Sequence, residues 1–399
     1  MKERMKNRIY TGLLALAVVA VSCSTDIPED PSVMEDTQDR MFVAQSPRLA
    51  AEGIDVNSDG LIIVDKFDEN SILYFSQMGP TQNPEFINPS ASTPYLYKYK
   101  YYENKNADWN TDYNFANVAG SEPFTWQAVR EMGSYGNAFH FYGMYFPGDN
   151  QPKFGVRQDQ RGPSGDPYNT QNFVLSDIMG AYHATSGLFT RMRFNLFHLM
   201  VYLKVKLYVP VLEYSQNAGG QSSYSGFEDE AVKGAYILDA YTDFNIEWRA
   251  NRSSDVTAPL TQTAGGKKTI YMYTHERETG ADPIEIDVRD YYTGTIIKDN
   301  ELVREYEFSV LFPNQSFGDN FLCFALEAPD NQLKYYYFSG SQVVGDRSNY
   351  ALSQGTLQEL TLYLPRTTNQ TILVQARVLP WNDAETDMTV TKQNPNQGN

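Results

Sequence analysis

Hydrophobic and polar positions alternate most regularly along "LMVYLKVKLYV", residues 199–209. The odd positions are all Leu or Val, and the even positions are Met, Tyr or Lys. Because successive side chains of a strand point to opposite faces, this period of two predicts one long strand with a single buried face. Pro210 follows directly and is expected to end the strand.

Shorter apolar runs recur along the rest of the chain, separated by turn-forming Gly, Pro, Asn and Asp. Strands are predicted at 41–48, 61–67, 71–75, 235–246, 268–273, 302–312, 321–327, 334–338, 357–364 and 371–379. Helix is predicted only at 124–132 and 175–182. With 29 Tyr and 22 Phe, the pattern predicts an all-β protein, and the strand spacing is typical of β-sandwiches.

The N-terminal segment has the pattern of an export signal. Four Lys or Arg residues precede an apolar stretch at 9–21, which is too short for a membrane span of about 20 residues. Small residues then lead to Cys23, as in a bacterial lipobox, although Ala20 stands where Leu is usual. We expect residues 1–22 to be a signal peptide and Cys23 to be lipidated. The alternative is an ordinary signal peptide with an incidental cysteine.

The net charge limits the classes of binding partner, and the cysteine content limits the possible disulfides. The net charge is −17, and it becomes about −20 once the net +3 of residues 1–22 is removed. Such a chain repels nucleic acid and anionic lipid, so membrane contact is expected only through the lipid anchor. Cys323 is the only other cysteine, which leaves no intramolecular disulfide if Cys23 is acylated. "FLCFAL" predicts a buried Cys323.

Length and composition together predict two domains. The acidic stretch after Cys23, residues 23–40, has almost nothing to bury and is expected to be a tether. The remaining chain is longer than a single hydrophobic core usually stabilises. A polar, Gly/Ser-rich segment at 216–230 is a plausible junction. The predicted domains are 41–210 and 211–399.

Candidate chemistry is sparse. "DVNSDG" (55–60) copies the start of an EF-hand loop, but Lys66 stands where a Glu is needed, so an Asx-rich turn is favoured and calcium at Asp55–Gly60 stays a weak alternative. The four histidines lack metal-ligand spacing, and two of them, His140 and His198, lie in apolar strands as expected of core residues. No catalytic constellation stands out. We expect no enzyme, no cofactor and no resident metal.

An ordered series of stretches carries a family resemblance. The stretches are "FTWQAVREMGSYGNAFHFYGMYFP", "NFVLSDIMGAYHATSG" with a Ser-Asp-hydrophobic-Met-x-Ala element, "MRFNLFHLMVYLKVKLYV" with Phe-x-x-Phe-His, "YEFSVLFPNQSF" and "ARVLPWNDAE". In this order, and after a lipobox, they resemble the fimbrillin family of Bacteroidales. These proteins are lipoprotein-derived pilus subunits. The resemblance covers about residues 42–381.

The resemblance implies two tandem transthyretin-like β-sandwich domains with little helix. It also implies export to the outer membrane, a cut after an Arg by a trypsin-like protease, and loss of the first strand. The C-terminal strand of another subunit then fills the groove by strand addition. "MFVAQ" (41–45) is the candidate strand to be lost, with the cut after Arg48. Arg40 is the alternative cut, which would remove only the tether. Both could equally be ordinary loop arginines.

The C-terminal tail bears on the role within a fimbria. After Trp381 its single apolar stretch is 388–390, "MTV", which is short for a donor strand. A tip or accessory subunit that accepts a strand is therefore favoured over a stalk or an anchor. Its partners would be other pilus subunits and a host or bacterial surface ligand. Segment 148–170 is a candidate ligand-contacting loop or a disordered surface insertion.

Two other classes of function remain open. An outer-membrane lipoprotein that binds glycans would share the anchor and the exposed aromatics. "YLYKYKYYENKNADW" (95–109) could stack on sugars, but its lysines favour an edge strand with a guarded face. A glycoside hydrolase, which would need two carboxylates at a defined separation, is the least favoured.

Overall fold

The protein is all-β, as predicted, in a computed structural model. The residues that the structure describes are 41–45, 54–56, 62–64, 72–77, 97–102, 113–118, 120, 125–134, 138–147, 154–186, 191–216, 220, 222–246, 260–262, 266–277, 280–289, 299–344, 350–366, 368–380 and 388–391.

The strands in these ranges are β1 (Met41–Gln45), β2 (Ile54–Val56), β3 (Ile62–Val64), β4 (Ile72–Gln77), β5 (Tyr97–Tyr102), β6 (Tyr113–Asn117), β7 (Phe139–Phe146), β8 (Met179–Thr185), β9 (Arg191–Asn195), β10 (Phe197–His198), β11 (Val201–Pro210), β12 (Glu213–Gln216), β13 (Ser222–Ser225), β14 (Val232–Ala240), β15 (Phe244–Ile246), β16 (Leu260–Gln262), β17 (Lys268–Tyr271), β18 (Tyr273–Thr274), β19 (Ile284–Asp287), β20 (Asn300–Phe312), β21 (Gln315–Phe317), β22 (Leu322–Glu327), β23 (Leu333–Phe338), β24 (Tyr350–Leu352), β25 (Thr356–Tyr363), β26 (Ile372–Pro380) and β27 (Met388–Thr391). The helices are α1 (Trp126–Met132), α2 (Gln171–Val174) and α3 (Ser341–Val344).

Three larger sheets organise these strands. The first has the order β10-β8-β7-β4-β5-β6-β1-β9. The second has the order β18-β20-β11-β25-β26-β27, with β19 also paired to β20. The third has the order β17-β14-β22-β23. Pairs of short strands, β2-β3, β12-β13, β15-β16 and β21-β24, complete the described topology.

One hydrophobic cluster connects the three larger sheets. It includes Tyr74 and Tyr142 of the first sheet, Leu203 and Phe308 of the second, and Phe324 of the third. The ring centroids of Phe308 and Phe324 are 5.7 Å apart, so the second sheet packs against the third at this contact. The division into two tandem sandwiches stays a prediction.

Strand β11 lies where the alternation predicted a strand. It pairs antiparallel with β20 along all ten residues and parallel with β25, so it is central in the second sheet. The expectation of a single buried face is wrong for its first half, because Tyr202 is fully buried as well. The ring of Phe173 covers Tyr202, with centroids 5.6 Å apart. The proposed division of the chain at 210/211 would place β11 in the first domain, whereas its hydrogen-bonded neighbours come from the second half.

Helix α1 confirms one of the two predicted helices. Thr125 caps it, since the Ala128 N–H donates to Thr125 Oγ1 over 3.2 Å. Gly133, at φ 84°, follows its last residue. The helix predicted at 175–182 is wrong, because strand β8 begins at Met179 and pairs along seven residues of β7. Sheet pairing overrides the weak local preference there.

Three further expectations are corrected by the sheet topology. Segment 95–109 contains β5, which is no edge strand, because β4 and β6 flank it. Segment 216–230 is not wholly loop, since Ser222–Ser225 pairs with Glu213–Gln216 in a hairpin. Segment 154–170, the described part of 148–170, is not a loose insertion, because Gln160 is fully buried.

Candidate functional site

Strand β1 has an internal position in the first sheet. It lies between β6 and β9, antiparallel to the first and parallel to the second. Its five residues, Met41–Gln45, are in register with Arg191–Asn195 of β9. An N-terminal strand thus closes a gap between two strands that are distant in sequence. Without β1, β6 would present an unpaired edge, and β9, the last strand in the described order, would lose the strand that joins it to the sheet.

The residues predicted for export and maturation flank this strand in the sequence. Cys23, Arg40 and Arg48 lie outside the residues that the structure describes. Met41 is the first residue of β1 and Gln45 is the last. A cut after Arg40 would therefore leave β1 attached to the chain, whereas a cut after Arg48 would separate it.

The C-terminal tail contributes a strand of its own. Residues Met388–Thr391 form β27, which pairs antiparallel with β26 at one edge of the second sheet. The short apolar stretch at 388–390 is therefore paired within this chain. Only four residues take part.

Two of the sequence motifs meet in a buried side-chain contact. Asp177, from the Ser-Asp-hydrophobic-Met element, lies with its Oδ1 2.8 Å from Nδ1 of His198, from Phe-x-x-Phe-His. Each residue is only 2% exposed. The neighbouring Ser176 hydroxyl accepts from the Arg157 N–H and donates to the Asn172 carbonyl. These motif residues therefore have a structural role, and His198 is a core histidine as predicted.

A second buried cluster joins residues that sequence reasoning did not connect. His275 Nε2 lies 2.7 Å from Ser309 Oγ, and Tyr202 Oη lies 3.1 Å from the same hydroxyl. Burial lowers the pKa of His275 from 6.5 to about 4, opposed by Glu307 and assisted by Lys204. A Ser–His contact resembles a nucleophile with its base, but Ser309 is fully buried, so no substrate reaches its hydroxyl. No local signal could have found this cluster, because the three side chains are far apart in sequence.

The remaining candidate ligands form no site within the described ranges. Asp55 lies in β2, opposite Ile63 of β3, and the rest of the EF-hand-like stretch, 57–60, lies outside those ranges. The described residues contain no group of three or more His, Cys, Asp or Glu that could hold a metal ion. Cys323 is buried, as predicted, and burial raises its thiol pKa to about 11. Among the described helices, none combines the length and apolar character needed to cross a membrane.

The solved structures to which this chain is similar include adhesion and fimbrial proteins of Bacteroidales. A proposed cell adhesion protein from Bacteroides uniformis is 12% identical, with a TM-score of 0.41 over 86% of this chain and 98% of that chain. The tip fimbrial protein Mfa3 from Porphyromonas gingivalis is 9% identical, with a TM-score of 0.36 over 86% and 100%. The fimbrial anchor protein Mfa2 from the same organism is 7% identical, with a TM-score of 0.31 over 86% and 98%.

Neither a protein-family model nor a curated protein matches the sequence. Likeness at this level assigns no function to the chain.

Proposed function

We propose that the chain is a structural or adhesive subunit of a bacterial surface fimbria. It is exported as a lipoprotein through Cys23, matured by a cut after Arg48, and assembled by accepting a strand from another subunit. The observation that carries the proposal is the place of β1, hydrogen-bonded on both sides by β6 and β9.

The chemistry of assembly follows from strand addition. Removing β1 exposes two rows of backbone N–H and C=O groups, which a strand from another subunit can satisfy. Main-chain hydrogen bonds would hold the incoming strand in register, and its alternate side chains would fill the vacated positions. The lipid leaves together with β1, because Cys23 precedes the cut. The mature subunit is then held at the surface by its neighbours in the fimbria.

A tip or accessory role is favoured over a stalk role by the tail. The only apolar stretch after Trp381 is short, and β27 holds it against β26 of the same chain. A stalk subunit must donate a longer strand. This chain is therefore proposed to accept a strand and to donate none.

The test is to isolate the protein from its native outer surface and to determine its N-terminus and mass. We expect a free N-terminus at Leu49. Arg48→Ala should leave the lipid attached and stop incorporation into fimbriae, whereas the matched variant Arg40→Ala should be processed normally. An intact chain that begins with acylated Cys23 in the assembled fraction would overturn the proposal.

A further inference from the structure

The outer face of the third sheet carries a row of side chains that crosses every strand. Asp159 bridges to Tyr271 of β17, and Tyr271 stands opposite Tyr236 of β14. Tyr236 stands opposite Cys323 of β22, which in turn stands opposite Tyr337 of β23. Directly opposite residues share one face of a sheet, so three tyrosines from three strands lie along one line.

The opposite face of the same strands belongs to the core. Ile237, Ile270, Leu322, Phe324 and Phe338 are fully buried in the hydrophobic cluster. The tyrosine row therefore points away from the core. Its rings are not needed to fill the interior of the molecule.

Small residues lie between the tyrosines. Cys323 and Ala325 of β22 are 3% and 0% exposed on this outer face, beneath their larger neighbours. Gly234 leaves room for Tyr236, since a Cβ at this position would come within 2.9 Å of the Tyr236 hydroxyl. Tyr335, opposite Ala325, is 47% exposed. The result is an aromatic surface with a shallow depression at its centre, where Cys323 and Ala325 lie.

One end of the row is fixed by an ion pair. The Arg161 guanidinium lies 4.4 Å from the centroid of the Tyr271 ring. Arg161 Nε and Nη2 donate to the two carboxylate oxygens of Asp159, both over 2.8 Å. The Tyr271 ring meets the Tyr236 ring edge to face, with centroids 5.2 Å apart. The ion pair neutralises its own charge and orders the rings before any ligand arrives.

The chemistry of this face fits an uncharged polyhydroxylated chain. Tyrosine rings offer apolar faces to the C–H groups of a sugar ring, and their hydroxyls can exchange hydrogen bonds with sugar hydroxyls. The row itself has no net charge, and the protein carries −17, which disfavours acidic polymers. From Asp159 to Tyr337 the row crosses four strand spacings, about 19 Å, which suits a few sugar units. A stable protein partner would need more surface than this row supplies.

We propose that the outer face of the third sheet binds a neutral glycan lying across its strands. It would contact Tyr271 and Tyr236 of the row, and Tyr335, which lies two residues from Tyr337 on the same face of β23. This ligand site does not depend on the strand-exchange proposal, because the third sheet contains neither β1 nor its neighbours. It would give the fimbrial subunit a defined adhesive surface. Failure of the glycan test therefore leaves the assembly proposal standing, and failure of the assembly test leaves this one standing.

The test is native gel electrophoresis of the full chain in gels that contain galactomannan, xyloglucan or dextran, with alginate as an acidic comparison. We expect at least one neutral polymer to slow the protein, and alginate to have no effect. Tyr236→Ala combined with Tyr335→Ala should weaken binding about tenfold or more, since aromatic anchors dominate such contacts. Tyr335→Ala alone should also weaken binding. Because Tyr335 is exposed, this loss would not be explained by misfolding.

The matched control uses the tyrosine pair on the β12–β13 hairpin. Tyr214 and Tyr224 are 57% and 60% exposed, with ring centroids 5.4 Å apart. Tyr214→Ala with Tyr224→Ala should leave the retardation unchanged. The proposal is overturned if no neutral polymer slows the wild-type chain, or if the hairpin variant loses binding while the sheet variants keep it. Self-association that Tyr335→Ala abolishes would assign the face to a second copy and would also overturn it.

Discussion

Arg366 shows how much of this fold depends on single buried charges. Its guanidinium contacts both carboxylate oxygens of Glu301 at 2.8–3.0 Å, and the two side chains are 2% and 3% exposed. Arg366 also donates to the Val211 carbonyl and to the Ser225 hydroxyl. One side chain thus ties β20 to both ends of the β12–β13 hairpin. A buried pair of this kind stabilises little by itself, but it makes each partner costly to lose.

Replacing Arg366 should therefore destabilise the protein strongly. Arg366→Met leaves Glu301 buried without its counter-charge, and we expect a loss of about 3–5 kcal/mol in the free energy of unfolding. Chemical denaturation monitored by circular dichroism measures it. The matched control is Arg289→Met, because Arg289 also pairs through two nitrogens, with Asp287, but at the surface. That variant should keep the wild-type midpoint. Equal midpoints for both variants would contradict the argument.

At the scale of elements, hydrophobic periodicity located those strands whose local sequence alone favours a strand. The alternation at 199–209 predicted β11, and the shorter apolar runs predicted β20, β22, β23, β25 and β26. The same reasoning failed for 175–182, where pairing with β7 turns a helix-like stretch into β8. It could not foresee the tyrosine row, because the register between β17, β14, β22 and β23 is set by contacts distant in sequence. Each tyrosine alone looks like any other.

The segment around Gln160 is a second element that periodicity could not find. Residues 158–160 run beside β17, with the Tyr271 N–H donating to the Gln158 carbonyl and the Gln160 N–H donating to the Tyr271 carbonyl. The Gln160 side-chain amide reaches β20 of the second sheet, where it accepts from the Leu311 N–H and donates to the Leu311 carbonyl. A single amide thus satisfies both backbone groups of a buried strand residue. This contact turns a polar loop sequence into part of the packed structure.

Losing that amide should destabilise the chain without changing its fold. Gln160→Met leaves the Leu311 N–H and C=O buried and unpaired, and we expect a loss of about 2–4 kcal/mol. Gln158→Met is the control, since the Gln158 side chain is exposed and only its backbone is used. The control should stay within about 0.5 kcal/mol of wild type. Urea denaturation of both variants measures the difference, and a control as unstable as Gln160→Met would refute the assigned role.

At the scale of the whole molecule, the N-terminal strand links stability to assembly. The first sheet is continuous only because β1 joins β6 to β9, whereas the second and third sheets are built without it. Residues of the first sheet also belong to the common hydrophobic cluster. Loss of β1 should therefore open the first sheet between β6 and β9, while β4 and β7 stay packed in the common cluster. This is the state that an incoming strand would need.

A chain that begins at Leu49 should accordingly melt at a lower temperature than the full chain and regain stability when a strand is supplied. A synthetic peptide of residues 41–48 should raise the melting temperature with concentration, by mass action worth about 2.7 kcal/mol at one hundred times its dissociation constant. The same peptide with Val43→Pro should fail, because proline removes a backbone donor from a strand that is paired on both sides. Differential scanning calorimetry measures all three. If the shortened chain melts like the full chain and ignores the peptide, then β1 is dispensable to the sheet, and strand exchange at this position has no energetic basis.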